Sequence, residues 1–85
     1  MLGELSERDR AILTLEAAWP RHGGMKEETI RAQLGMSPAR YYQLLGRLID
    51  TEEALDFDPL LIRRLRRLRD VRGRQRTTRM RGFVG

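Results

Sequence analysis

Within five residues, Leu34-Gly35-Met36-Ser37-Pro38, the chain carries the signals that stop one helix and start another. Gly35 lacks a Cβ and so accepts the left-handed conformation that closes many helices. Ser37 offers a side-chain oxygen to the amides of a following first turn. Pro38 has a φ already suited to the first helical position, where its missing N–H is not needed. Two helices joined this tightly require apolar residues that lock them to each other. Ile30 and Leu34 supply these from the first helix, and Tyr41, Leu44 or Leu45, and Leu48 from the second, with Met36 plugging the angle. One position departs from the pattern, because Arg31 stands where a small residue is expected and Ala32 follows one step late. A long side chain there has to reach outward from the crossing. The pattern predicts a helix-turn-helix with its turn at 34–37 and a second, recognition helix over 38–49.

The rest of the chain punctuates in the same manner. Ser6 is placed to accept from the amide of Asp9, so a first helix is expected from Glu7 to about Trp19, where Pro20 stops it. Its apolar face is Ile12, Leu15 and Trp19, flanked by Leu13; Arg8, Asp9 and Glu16 are assigned to the polar face. His22-Gly23-Gly24 reads as a turn, and Lys26-Glu27-Glu28 as the start of the helix that ends at Leu34-Gly35. Residues 50–56 read as a connection, with room for one helical turn around Glu52 to Leu55. Asp58-Pro59 repeats the cap-plus-proline signal and opens a basic helix over 59–72. Its apolar stripe is Leu61, Leu65 and Leu68 with Phe57 nearby, and Leu60, Ile62 and Val71 flank it as a dimer seam or as further core. After Arg72 the chain has no period and few apolar residues, and it is expected to be disordered when free. The fold expected is all-α, a bundle of about four helices: a domain over 1–72 and an Arg-rich flexible tail over 73–85.

Charge is distributed unevenly between the two halves. Residues 1–56 hold seven Lys or Arg against ten Asp or Glu, and residues 57–85 hold ten Arg against two Asp, leaving nets of −3 and +8. Such polarity is not needed to build a core; it makes a field that attracts a polyanion. Duplex DNA is the expected partner. The 85 residues include no cysteine, which removes disulfides, thiolate metal sites and a cysteine nucleophile. The first residues lack the basic start and apolar run of a signal peptide, and no apolar run is long enough to span a membrane, so a cytoplasmic, nucleoid-associated protein is expected.

The outward residues of the recognition helix are the candidate readers. At 3.6 residues per turn these are Ala39, Arg40, Tyr42, Gln43, Gly46 and Arg47. Gln43 can pair with adenine through two hydrogen bonds, Ala39 can touch a thymine methyl, and Arg40 or Arg47 can hold guanine or phosphate. Tyr42 is placed to bond a phosphate through its hydroxyl. Gly46, with no side chain in mid-helix, suggests close approach of another backbone. The candidate phosphate contacts are Ser37, then Arg63, Arg64, Arg66, Arg67, Arg69 and Arg72 on the basic helix, and Arg74, Arg76, Arg79 and Arg81 in the tail. His22, the only histidine, reads as a solvated loop residue, and the pairs Glu27-Glu28, Glu52-Glu53 and Asp56/Asp58 read as helix-start acids and not as acid–base catalysts. No enzyme activity, cofactor, metal or small-molecule ligand is indicated.

The run Lys26 to Asp50 resembles the helix-turn-helix of bacterial regulators and of the promoter-reading domain of sigma factors. More specifically, Met36-Ser37-Pro38-Ala39-Arg40-Tyr41-Tyr42-Gln43-Leu44-Leu45, Leu48-Ile49-Asp50 and the Arg-rich run from Asp58 to Arg69 are similar to a family of short actinobacterial proteins of unknown function. The similarity covers Leu5 to about Arg76. It implies a DNA-binding role and no established activity, and the regulatory, repressing or architectural use of such binding is left open. Alternatives from the residues themselves are a module docking a transcription component, a homodimer, and an Arg-rich helix that binds RNA or an acidic membrane surface.

Overall fold

The computed structural model describes residues 4–84, with side chains from Glu4 to Gly73. Among these residues every regular element is helical. The order is α1 (Glu7–Ala18), α2 (Gly24–Thr29) running directly into a wider π-helical turn (Ile30–Leu34), α3 (Pro38–Leu48), α4 (Glu52–Phe57) and α5 (Pro59–Val84). The single turn expected near Glu52 is thus a six-residue helix, and α2 begins at Gly24, two residues before the expected start. The backbone of α5 continues through Val84, past the end expected at Arg72. Arg, Gln, Thr and Met do not break a helix, and no proline lies beyond residue 59.

Helix ends follow from local chemistry. Ser6 Oγ accepts from the Asp9 amide at 3.1 Å, Ser37 Oγ from the Arg40 amide at 3.2 Å, and Asp58 Oδ1 from the Leu61 amide at 3.2 Å. Gly35 has φ +63° and donates its N–H to the Arg31 carbonyl at 3.1 Å, the single bond of a left-handed helix cap. Thr51 serves two helices, donating to the Leu48 carbonyl at 2.8 Å and accepting from the Ala54 amide at 3.2 Å. Arg31, the residue out of pattern, is exposed beside the crossing.

The core draws on all the packed elements. Ile12, Leu13 and Leu15 of α1 meet Ile30 and the α3 face of Tyr41, Leu44, Leu45 and Leu48, with Ile49, Ala54, Leu61 and Ile62 completing it. Trp19, Leu34 and Met36 are partly buried against this cluster, so Met36 does fill the angle of the turn. The α5 stripe is displaced from its expected place. Leu61 and Ile62 are buried and Leu65 is half-buried, but Leu68 is 45% exposed, and so is Phe57 at the end of α4. The first turns of α5 pack on α4, so Ile62 belongs to the core, whereas Leu60 and Val71 lie exposed.

A buried polar cluster replaces what the apolar pattern implied for α1. Glu16, expected on the polar face, is 3% exposed, and Lys26 is 1% exposed. Lys26 Nζ lies 2.7 Å from Glu16 Oε1, the same oxygen accepts from the Tyr41 hydroxyl at 2.6 Å, and Nζ also stands 5.7 and 5.3 Å from the Tyr41 and Tyr42 ring centroids. Burial, and then the bond to Glu16, pushes the Tyr41 hydroxyl well above the ordinary tyrosine range. Since the folded chain keeps this proton to higher pH than an unfolded tyrosine, with its pKa of about 10, the contribution is complete below that pH and is lost above it. Denaturation at pH 9, 10 and 11 is expected to show stability falling more steeply than in Tyr41→Phe, by up to ~1.4 kcal/mol per pH unit. Parallel curves would show that this proton carries no linkage.

Candidate nucleic-acid interface

The exposed surface of α3 divides into two stripes. Arg40, Gln43 and Arg47, at i, i+3 and i+7, are all exposed, with Ala39 beside them. Arg40 donates to Gln43 Oε1 at 2.9 Å, so two of the expected base readers hold each other in the free protein. The second stripe does not face open solvent. Tyr42 is half-buried, its hydroxyl 2.6 Å from His22 Nδ1 and its ring edge-on to the imidazole with centroids 4.9 Å apart. Tyr42 therefore is not an open phosphate contact, and His22 is not a simple solvated loop residue. Gly46 lies in a groove facing α5, and a Cβ built on it meets nothing within 4 Å. The close backbone approach inferred from this glycine is absent from the described residues.

The arginines of α5 divide in the same way. Arg66, read as a phosphate contact, is half-buried: its Nε donates to the Ile49 carbonyl at 2.6 Å and a terminal nitrogen to the Thr51 carbonyl at 3.4 Å. The stronger of these bonds satisfies the Ile49 carbonyl at the C-cap of α3, and the weaker reaches the Thr51 carbonyl at the N-cap of α4, which also accepts from the Leu55 amide; the pair ties α5 to the α3–α4 junction. Arg69 meets Asp50 at 2.6 Å and Asp70 at 3.8 Å, and the bond to Asp50 is the main reason its pKa rises. Arg63, Arg64, Arg67 and Arg72 are exposed and make no ion pair or hydrogen bond with any described residue. Arg63, Arg64 and Arg67 share the side of the helix turned away from Leu61 and Ile62. Ser37 is exposed, with its oxygen engaged in the α3 cap. The side chains of Arg74, Arg76, Arg79 and Arg81 lie outside the described residues.

Of the arrangements that sequence reasoning missed, two left a signal. Glu16 stands at i+4 from Ile12, inside the apolar stripe, and that spacing is the signal that it turns inward. Arg66 stands at i+4 from Ile62 and so borders the buried face. Nothing local marks the His22–Tyr42 pair, which lie 20 residues apart.

These elements define a small all-helical protein in which two helices meet at a glycine turn and a long basic helix packs beside them. No described helix is long and apolar enough to cross a membrane, and no described cluster of His, Asp and Glu is arranged to hold a metal. The chain belongs to the family described as protein of unknown function DUF3263, which it matches over residues 4–77. No curated protein and no solved structure is similar to it.

Proposed function

We propose that the chain binds duplex DNA, with α3 in the major groove and α5 against the phosphates, as a transcriptional regulator or nucleoid-associated factor. The observation that carries this reading is the Arg63, Arg64 and Arg67 face of α5, three exposed cations without acidic partners among the described residues, on the same small body as the exposed Arg40, Gln43 and Arg47 stripe. Cations not engaged by a described partner are available to displace counterions from a polyanion. Arg40, Gln43 and Arg47, with Ala39, meet base edges; Arg63, Arg64 and Arg67 position the duplex, with Arg74, Arg76, Arg79 and Arg81 adding to the grip. The Arg40–Gln43 hydrogen bond does not oppose this. A net bond of this kind is worth about 0.5–1.5 kcal/mol, against about 1–3 kcal/mol for each good bidentate base contact.

Affinity measured against salt tests the phosphate face. Each phosphate contact contributes about 0.9 to the slope of log K against log salt, so replacing Arg63, Arg64 and Arg67 with alanine is expected to lower the slope by ~2.7. Truncation after Arg72 removes four arginines and is expected to lower it by about 3 to 4. Arg66→Ala serves as the control, since it lowers stability through the lost carbonyl bonds and leaves the slope unchanged. A full slope in the triple variant would show that this face does not meet the phosphates.

A further inference from the structure

Between α3 and α5 the molecule leaves a groove of about 540 Å³. Its apolar lining comes from both helices, Leu45 and Ile49 on one side and Leu65 and Leu68 on the other. This accounts for the exposure of Leu68, an apolar side chain that the core does not take up. Gly46 keeps the space open: it lines the groove, and a Cβ added there would meet nothing within 4 Å. A mid-helix glycine costs about 1 kcal/mol relative to alanine, and no turn or close packing among the described residues explains it here.

The polar groups around this lining are few and specific. Tyr42 and His22 stand in the wall, joined by their 2.6 Å contact. Glu16 also reaches the wall, but its charge is balanced by Lys26 at 2.7 Å. Arg69 is engaged by Asp50 at 2.6 Å. Arg72 lines the groove with no acidic partner among the described residues. An apolar recess bordered by one uncommitted guanidinium suits an anion with an apolar body, because Arg binds a carboxylate through two parallel bonds. The volume falls within the roughly 300–1,000 Å³ of small-ligand sites.

We propose that this groove binds a small organic monocarboxylate, its carboxylate on Arg72 and its aryl or short alkyl body between the leucine and isoleucine side chains of α3 and α5. The site stands independently of the DNA reading. Because its walls belong to two helices, an occupant holds α3 and α5 together and stabilises the folded chain by mass action.

Titrating 2-naphthoate into the full chain tests the site, with amide resonances and melting temperature as readouts. Saturable shifts concentrated on the Gly46 and Gly73 amides are expected, together with a rise in melting temperature. Arg72→Gln is expected to weaken binding at least tenfold, and 2-naphthalenemethanol to bind the unmodified chain at least tenfold more weakly than the acid. Gly46→Leu fills the groove and is expected to abolish the shifts. Its own melting temperature should not fall, since leucine is the better helix former. The proposal is overturned if millimolar 2-naphthoate gives no saturable shift, if the alcohol binds as tightly as the acid, or if the Gly46→Leu chain still binds. It is equally overturned if an acidic helical peptide alone moves these amides, which would make the groove a protein-docking surface.

Discussion

Lys26→Met is expected to lower the unfolding free energy by about 3–5 kcal/mol, the cost of leaving a buried carboxylate without its counter-charge. Glu16 has almost no access to water, and Lys26 Nζ at 2.7 Å is its only cationic partner among the described residues. Small domains are stable by about 5–15 kcal/mol, so this one change removes a large share of the total. Adding Glu16→Gln to Lys26→Met is expected to recover most of the loss, because the glutamine amide carries no charge and its oxygen still accepts from the Tyr41 hydroxyl. Urea denaturation of the two variants beside the parent measures both effects. A loss under about 1 kcal/mol for Lys26→Met would mean that water reaches the carboxylate and that the pair is a surface bridge in energetic terms.

Replacing Arg40, Gln43 and Arg47 together with alanine is expected to remove about 10²- to 10⁴-fold of preference between a selected duplex and random sequence. That range is about 2.7–5.5 kcal/mol in all, the loss of two or three base contacts in the lower part of the about 1–3 kcal/mol that each can contribute. Affinity for random duplex should fall much less, since Arg63, Arg64 and Arg67 of α5, proposed to meet the phosphates, are untouched. All three side chains are exposed, and exposed substitutions usually change stability by less than about 0.5 kcal/mol, so the variant remains folded. Selection of bound sequences from a random pool, followed by competition with both proteins, gives the ratio. If the triple variant selects and prefers the same sequences, α3 does not read the bases. Because so few residues are available for reading, the preference of the unmodified chain is itself expected to be loose, with most of the affinity coming from phosphates.

Arg66 and Tyr42 are side chains with two available uses, and the packing of the helices decided between them. Arg66 sits among six arginines between residues 63 and 72 and has the same chemistry as its neighbours. It is withdrawn from them because the α3–α4 junction presents the Ile49 and Thr51 carbonyls within its reach. Tyr42 has the same chemistry as Tyr41, yet Tyr41 enters the core and bonds Glu16, while Tyr42 sets its ring beside that of Tyr41, near the same Lys26 ammonium, and bonds His22. The two rings and the Glu16 carboxylate all lie close to the Lys26 ammonium, a lysine in the first turn of a short helix that is almost wholly buried.

The helix boundaries were legible because capping is local chemistry. A serine, aspartate or glycine acts on an amide or carbonyl three or four residues away, so Ser6, Gly35, Ser37 and Asp58 declare their roles without knowledge of the rest of the chain. The inward face of α3 was legible for a similar reason, since Tyr41, Leu44, Leu45 and Leu48 leave only one apolar side. On α5 every face mixes leucine with arginine, and periodicity alone does not rank them. There the outcome depended on which turns reach the body, so Ile62 was buried and Leu68 was left on the groove wall. The same holds for the Glu16–Lys26 pair and the carbonyl bonds of Arg66, which join residues 10 to 17 positions apart. Local sequence settled the helix ends that a cap marks, at Ser6, Gly35, Ser37 and Asp58; the packing of the helices settled which charges are buried, which arginines among the described residues remain unpaired and where a groove stays open.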